Sequence, residues 1–185
     1  DGTQILFESD REDGQYDIYV LDFETRDLEQ WTDDPADDTH PAMSPGGDIV
    51  FVSERDGDQE LWIMDSEGQN PRQITRNSFR DNGPDWSPDG TQIVYSSREG
   101  GSDDPDLWLI PAGGGTPVLL AADVGPDDRL PAFSPDGERI AFDSNRDGDS
   151  FYDLFVYNIE TDELVQLTYK KATGEEGKAW GFRGV

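Results

Sequence analysis

The loops richest in oxygen ligands are the residues of this chain best suited to chemistry. Asn145, Asp147, Asp149 and Asp153 gather around Gly148, and Asp56 and Asp58 flank Gly57. Hard oxygens clustered at a glycine turn suit Ca²⁺, which takes roughly six to eight of them. Calcium is therefore the one cofactor these residue types suggest, with the Asp147 loop the first place to look. The spacing departs from the D-x-[DN]-x-[DN]-G-x5-E calcium loop. An ordinary hairpin explains the same residues: glycine supplies positive φ and aspartate bonds its own backbone. Similar loops occur at Asp10 to Asp13 and at Asp103, Asp104 and Asp106.

A second pattern pairs serine with arginine two residues on, at Ser9/Arg11, Ser53/Arg55 and Ser144/Arg146, with a shortened form at Ser97-Arg98. An acidic residue follows each time, at Asp17, Glu60, Asp153 and Asp106. A guanidinium fork between carboxylate and carbonyl acceptors would tie a hairpin or its neighbour, so the expected role is structural. No catalytic constellation emerges. His40 is the single histidine and sits in an Asp-rich connection before Pro41. No G-x-S-x-G nucleophile elbow occurs. Gly113-Gly114-Gly115 lacks the helix start that a phosphate cradle needs. Acidic pairs such as Asp37-Asp38 and Asp127-Asp128 are expected by coincidence in so acidic a chain.

These loops hang on a recurring phrase. SPGGDIVFVSERDGDQELWIMD starts at Ser44, SPDGTQIVYSSREGGSDDPDLWLIP at Ser87 and SPDGERIAFDSNRDGDSFYDLFVYN at Ser134. DGTQILFESDREDGQYDIYVLD opens the chain with the same phrase less its first two residues. Met43, Trp86, Phe133 and Trp180 mark one equivalent position, spaced by 43, 47 and 47 residues. Each unit divides into four apolar runs of three to five residues, rich in Ile, Val and aromatics and bounded by Asp-Gly or Pro-Asp-Gly. Such runs read as strands; no segment carries the longer 3.6-residue periodicity of a helix. Pro88-Asp89-Gly90 and Pro135-Asp136-Gly137 are tight reversals, with proline presetting φ and glycine taking it positive.

Four short strands in a period of about 45 residues is the signature of a β-propeller blade. The phrase (W/F)-S-P-D-G-x-x-I-(A/V)-(F/Y)-x-S-x-R-D-G, followed by (D/E)-(L/I)-(Y/W)-(V/I), resembles the TolB-type WD-like repeat of periplasmic TolB and of some serine-peptidase propellers. The resemblance implies an all-β propeller, and rings of six or more blades. The chain itself counts four blades of four strands, approximately residues 1–40 with 178–185, then 41–83, 84–130 and 131–177. One blade would be split between the termini, with Trp180 in a closing strand beside Ile5-Leu6-Phe7. Three forms remain open: a four-bladed ring, an excerpt of a larger propeller, or repeats completed by another subunit.

Composition narrows the function. The chain of 185 residues carries a formal net charge of −28 and no cysteine. Nucleic-acid binding needs Lys/Arg patches, so nucleic acid is excluded as a partner, and no apolar stretch is long enough for membrane insertion. Self-repulsion at this charge calls for counter-ions, which favours an extracytoplasmic setting: periplasm, cell surface or secretion. Loops between strands two and three share a face with the blade connections, and the S-P-D-G turns lie opposite. Both faces sum to a negative charge, so neither stands out as a binding surface. A propeller fold does not dictate function. The expectation is a non-enzymatic interaction scaffold or structural module, binding a protein partner or itself. The alternatives are a self-assembling surface or filament subunit and the gating propeller of a larger serine hydrolase.

Overall fold

The computed structural model describes residues 2–12, 14–99, 104–121, 126–148, 151–170 and 180–182, and every regular element there is a β-strand. The N-terminal sheet runs β1 (Gln4–Ser9), β2 (Asp17–Asp22), β3 (Leu28–Gln30). The second runs β4 (Asp38–Met43), β5 (Ile49–Ser53), β6 (Glu60–Met64), β7 (Arg72–Gln73). The third runs β8 (Asp81–Trp86), β9 (Gln92–Ser97), β10 (Asp106–Pro111), β11 (Val118–Ala121). The fourth runs β12 (Asp128–Phe133), β13 (Arg139–Ser144), β14 (Asp153–Asn158), β15 (Leu164–Gln166). A ribbon of β16 (Thr168–Lys170) and β17 (Trp180–Phe182) follows. Each sheet is an antiparallel meander, and together they form a partial β-propeller. The first strands of the last three sheets pack on one another in chain order, β4 on β8 and β8 on β12, so they form the inner row; β1, the equivalent of β5, packs on β4.

Sequence chemistry sets the corners. Gly90 and Gly137 take φ of 70° and 75°, and their amides close back on the Ser87 and Ser134 carbonyls at 2.8 and 2.9 Å. The Ser87 hydroxyl donates to the Asp89 carboxylate at 2.6 Å, which locks the reversal. The first strands hold a feature that turn chemistry conceals. They begin at Asp38, Asp81 and Asp128, before the Pro-x-aromatic-Ser run, and each contains a bulge. The bulged residues, His40, Gly83 and Leu130, all have positive φ (52°, 58° and 50°) and all precede proline. Glycine adopts this conformation cheaply, but His and Leu do so at a cost of about 1–3 kcal/mol each. A Cβ on Gly83 would lie 3.3 Å from Leu130 Cδ2, so the bulges of neighbouring sheets nearly touch.

The core lies between sheets. Alternation sends Ile49 and Phe51 of β5, with Met64 of β6, towards the N-terminal sheet, where they meet Ile18. Val50 and Val52 face the other way, onto Ile93, Tyr95 and Trp86 of the third sheet. Val94, Leu107 and Leu109 then meet Ile140, Phe142 and Phe155 of the fourth. Strands buried on both faces are continuously apolar, which is why β5 reads IVFVS. Each such side chain contributes about 1.5–3 kcal/mol on burial. The aromatic landmark is not uniform: Trp86 is buried and donates its indole N–H to the Ala42 carbonyl at 3.0 Å, but Met43 is 43% exposed.

The closing strand is a correction to the sequence reading. β17 pairs with β16, Tyr169 opposite Gly181, instead of lying beside Ile5-Leu6-Phe7. Pairing with a strand only a few residues upstream closes a far shorter loop than reaching the first sheet, at lower entropic cost. The Trp180 side chain, and residues 178 and 179, lie outside the described residues.

Candidate functional site

The Ser-x-Arg pattern builds a clamp on the face each sheet turns to its predecessor. In the second sheet Ser53 stands opposite Asp38 of β4 and Glu60 of β6. Arg55 folds back over it, with Nε donating to Ser53 Oγ at 2.8 Å and a terminal nitrogen to Asp38 Oδ2 at 2.7 Å. Its guanidinium lies 5.5 Å from the Phe51 ring centre and 4.6 Å from that of Trp62. The fourth sheet repeats this: Arg146 reaches Ser144 at 3.0 Å and Asp128 at 2.7 Å, over Phe142 and Phe155. In the first sheet Arg11 reaches Ser9 at 3.2 Å, over Phe7 and Tyr19. The fork therefore staples its own hairpin, as a structural role requires, and Asp38 and Asp128 of the acidic pairs are spent in it.

The third sheet breaks the pattern. Ser97 keeps its register, opposite Asp81 and Asp106. Strand alternation then puts Glu99, not Arg98, two residues on at the clamp position. The shortened Ser97-Arg98 form is thus not an equivalent; Arg98 points to the opposite face, with Ser96. Glu99 even keeps the local backbone bond, its amide donating to Ser97 Oγ at 3.1 Å as Arg55 and Arg146 do to their serines. Burial pushes the Asp81 carboxyl above the usual range, and burial lifts Glu60 to about 7, with Asp81 and Asp58 adding to the rise.

On that opposite face the inner strands open a cavity of about 370 Å³. It is lined by His40, Arg80, Arg98, Arg129, Asn82 and Leu130 among others. Arg80 precedes β8, Arg98 follows β9 and Arg129 lies in β12, so three arginines from two sheets converge with the single histidine. Arg129 pairs with Asp127 and lies 4.9 Å over the Tyr152 ring. Arg80 and Arg98 make no ion pair among the described residues. His40 and Leu130, the two strained bulge residues, stand on the rim. Summing charge over whole faces hid this basic cavity, because its residues are far apart in sequence and outnumbered on their own loops. The usable signal was an arginine adjoining the Asp or Ser that ends each inner hairpin.

Four of the six proposed calcium ligands have other partners, and Asp58 adds to the rise of the Glu60 pKa. Asn145 Oδ1 accepts the Asp127 amide at 2.9 Å. Asp153 is buried and accepts the Thr168 hydroxyl at 2.9 Å and Gln166 at 3.3 Å, and Gln166 also reaches Asp147 at 3.4 Å. Asp56 accepts from Gln73. Gly57 and Gly148 hold φ of 115° and 82° in turns closed onto the Glu54 and Asn145 carbonyls. Asp149 lies outside the described residues. Among the described residues no three acidic or histidine side chains are placed to hold a metal together.

Radially packed four-stranded meanders whose first strands line an inner row define a β-propeller. The family model for the TolB beta propeller domain matches residues 1–103, and the chain belongs to that family. Among solved structures, TolB from Acinetobacter baumannii superposes with a TM-score of 0.78 at 26% identity, over 89% of this chain and 40% of that one. A protein described as TolB from Agrobacterium tumefaciens gives 0.77 at 22%, over 89% and 61%. Hydrazine synthase of Kuenenia stuttgartiensis shares the fold alone, with 0.72 at 18%, over 94% and 32%. The chain thus spans less than two thirds of either TolB structure. No curated protein matches it.

Proposed function

We propose that this chain is a non-enzymatic, extracytoplasmic protein-interaction module whose basic cavity receives an acidic segment of a partner. The observation that carries this is the convergence of Arg80, Arg98 and Arg129 with His40 on one 370 Å³ opening in a chain of net charge −28. Screening confines such a field to about 8 Å at physiological salt. A carboxylate inside the cavity therefore meets Arg80 and Arg98, and most of the chain's acidic charge lies beyond its reach. Membership of the TolB propeller family supports the extracytoplasmic setting. Fluorescence anisotropy with a labelled acidic peptide tests the reading. Binding should weaken with salt and fall at least tenfold in the Arg80→Ala/Arg98→Ala double variant. Equal binding by the double variant, or none by the wild type, would refute it.

Self-association is the second reading. It is favoured by the outer edge strands β11 and β15, whose Val118 and Val165 are 59% and 40% exposed. A backbone edge of this kind templates pairing with another chain. Light scattering across a concentration series separates the two readings, since an interaction scaffold stays monomeric without its partner.

A further inference from the structure

The third sheet carries the clamp of its neighbours with its charge reversed. The aromatic pair is kept as Tyr95 opposite Trp108, and the serine as Ser97 between Asp81 and Asp106. Only the cation is gone, replaced by Glu99. With Arg98 turned to the opposite face, the rest of the loop, Gly100-Gly101-Ser102-Asp103-Asp104-Pro105, carries no basic residue to supply it. The threonine and glutamine that close the other sheets (Thr32, Thr75, Thr168; Gln30, Gln73, Gln166) also become Ala121 and Leu119 here, a change that bears on Asp106, since in the sister sheets these residues donate to Asp17 and Asp153.

Around the reversed charge lie buried polar atoms without partners, although Asp81 keeps the Asn77 amide on its other oxygen. Asp81 Oδ1, Glu60 Oε2, Glu99 Oε2 and the Tyr95 hydroxyl are all enclosed with no hydrogen-bond partner. Tyr95 is wholly buried, and the charges of Asp81, Glu99 and Glu60 all act on its hydroxyl. A buried polar atom without a partner costs about 1–3 kcal/mol, so this arrangement favours a ligand rich in N–H donors. A guanidinium brings five donors in a planar fork and stacks on aromatic rings. The sister clamps hold that group against the same kinds of partner. They also show the way in: Arg55 and Arg146 enter from the loop after the second strand and keep 16% and 10% of their side chains exposed.

We propose that the third sheet binds a guanidinium group supplied from outside it, seated between Asp81, Glu60 and Glu99 and against Tyr95 and Trp108. The site lies on the face away from the basic cavity, so it stands or falls independently of the function proposed above.

Isothermal titration of the whole chain with methylguanidine, and separately with a short arginine-containing peptide, tests it, with the Trp108 indole N–H resonance as a local reporter. At least one probe should bind, shift that resonance, and bind at least tenfold more weakly to Glu99→Arg, which fills the clamp in cis. Binding of methylguanidine identifies a free small cation as sufficient; binding of the peptide alone identifies a partner's arginine. Glu99→Gln, which alters the site least, should weaken binding without changing the fold. Failure of both probes, equal binding by Glu99→Arg, or a response to calcium alone would overturn the proposal.

Discussion

The second and third sheets share register, aromatic pair and serine, yet one closes its hairpin with Arg55 and the other with Glu99. In the second, a single guanidinium answers Asp38, Ser53 and two rings at once. In the third, Asp81 lies near Glu60 of the second sheet, and Asn77 bonds both, at 3.1 and 2.6 Å. The fold survives the exchange because apolar packing between sheets is the same on both sides. The clamp therefore tunes stability locally, and the architecture rests on the interleaved Ile, Val and aromatic rows.

Removing a working clamp should have the largest effect. Arg146→Ala leaves Asp128 buried without its counter-charge, and the expected loss is about 3–5 kcal/mol in denaturant unfolding; a loss under about 1 kcal/mol would mean that the fork is ornamental. Installing the missing clamp comes next. Glu99→Arg should stabilise by about 1.5–3 kcal/mol, the worth of hydrogen bonds to charged groups, and a lower Tm would deny that the frames are equivalent. Titration gives a smaller signal. Folding favours the neutral form of Glu60, held at about 7 against an ordinary 4.5. Its contribution is complete below the lower value and fades as pH rises through the upper one. Between about pH 5 and pH 8 the wild type should lose more stability than Glu60→Gln, and parallel profiles would contradict the shift. Chelation should do least: with the Asp147 and Asp56 loops formed as turns, EDTA is expected to leave Tm unchanged, and a fall would support the calcium reading.

Much of the fold was legible because it is repetitive and local. The Pro-Asp-Gly reversals, the second and third strands and the structural use of arginine all follow from residue types at fixed offsets. The inner strands were only half legible. Asp81-Asn82-Gly83 looks like a turn by composition, but Asp81 is paired opposite Ser97 and fully buried. Glu99 was mistaken in favour of Arg98 because matching residue type outweighed the period of two. The basic cavity could not be read at all, since Arg80, Arg98 and Arg129 meet only once β8, β9 and β12 are side by side. The partner of β17 depends on loop closure, about which residue identity says little.

The three apolar clusters have a consequence for how the molecule comes apart. Each cluster cements one pair of adjoining sheets, so the two middle sheets are held on both sides. Linear arrays of this kind obey nearest-neighbour energetics. Amide exchange should accordingly be slowest in β5 and β9 and quicken outward towards either flank, as in a stack of cards lifted one at a time from its ends.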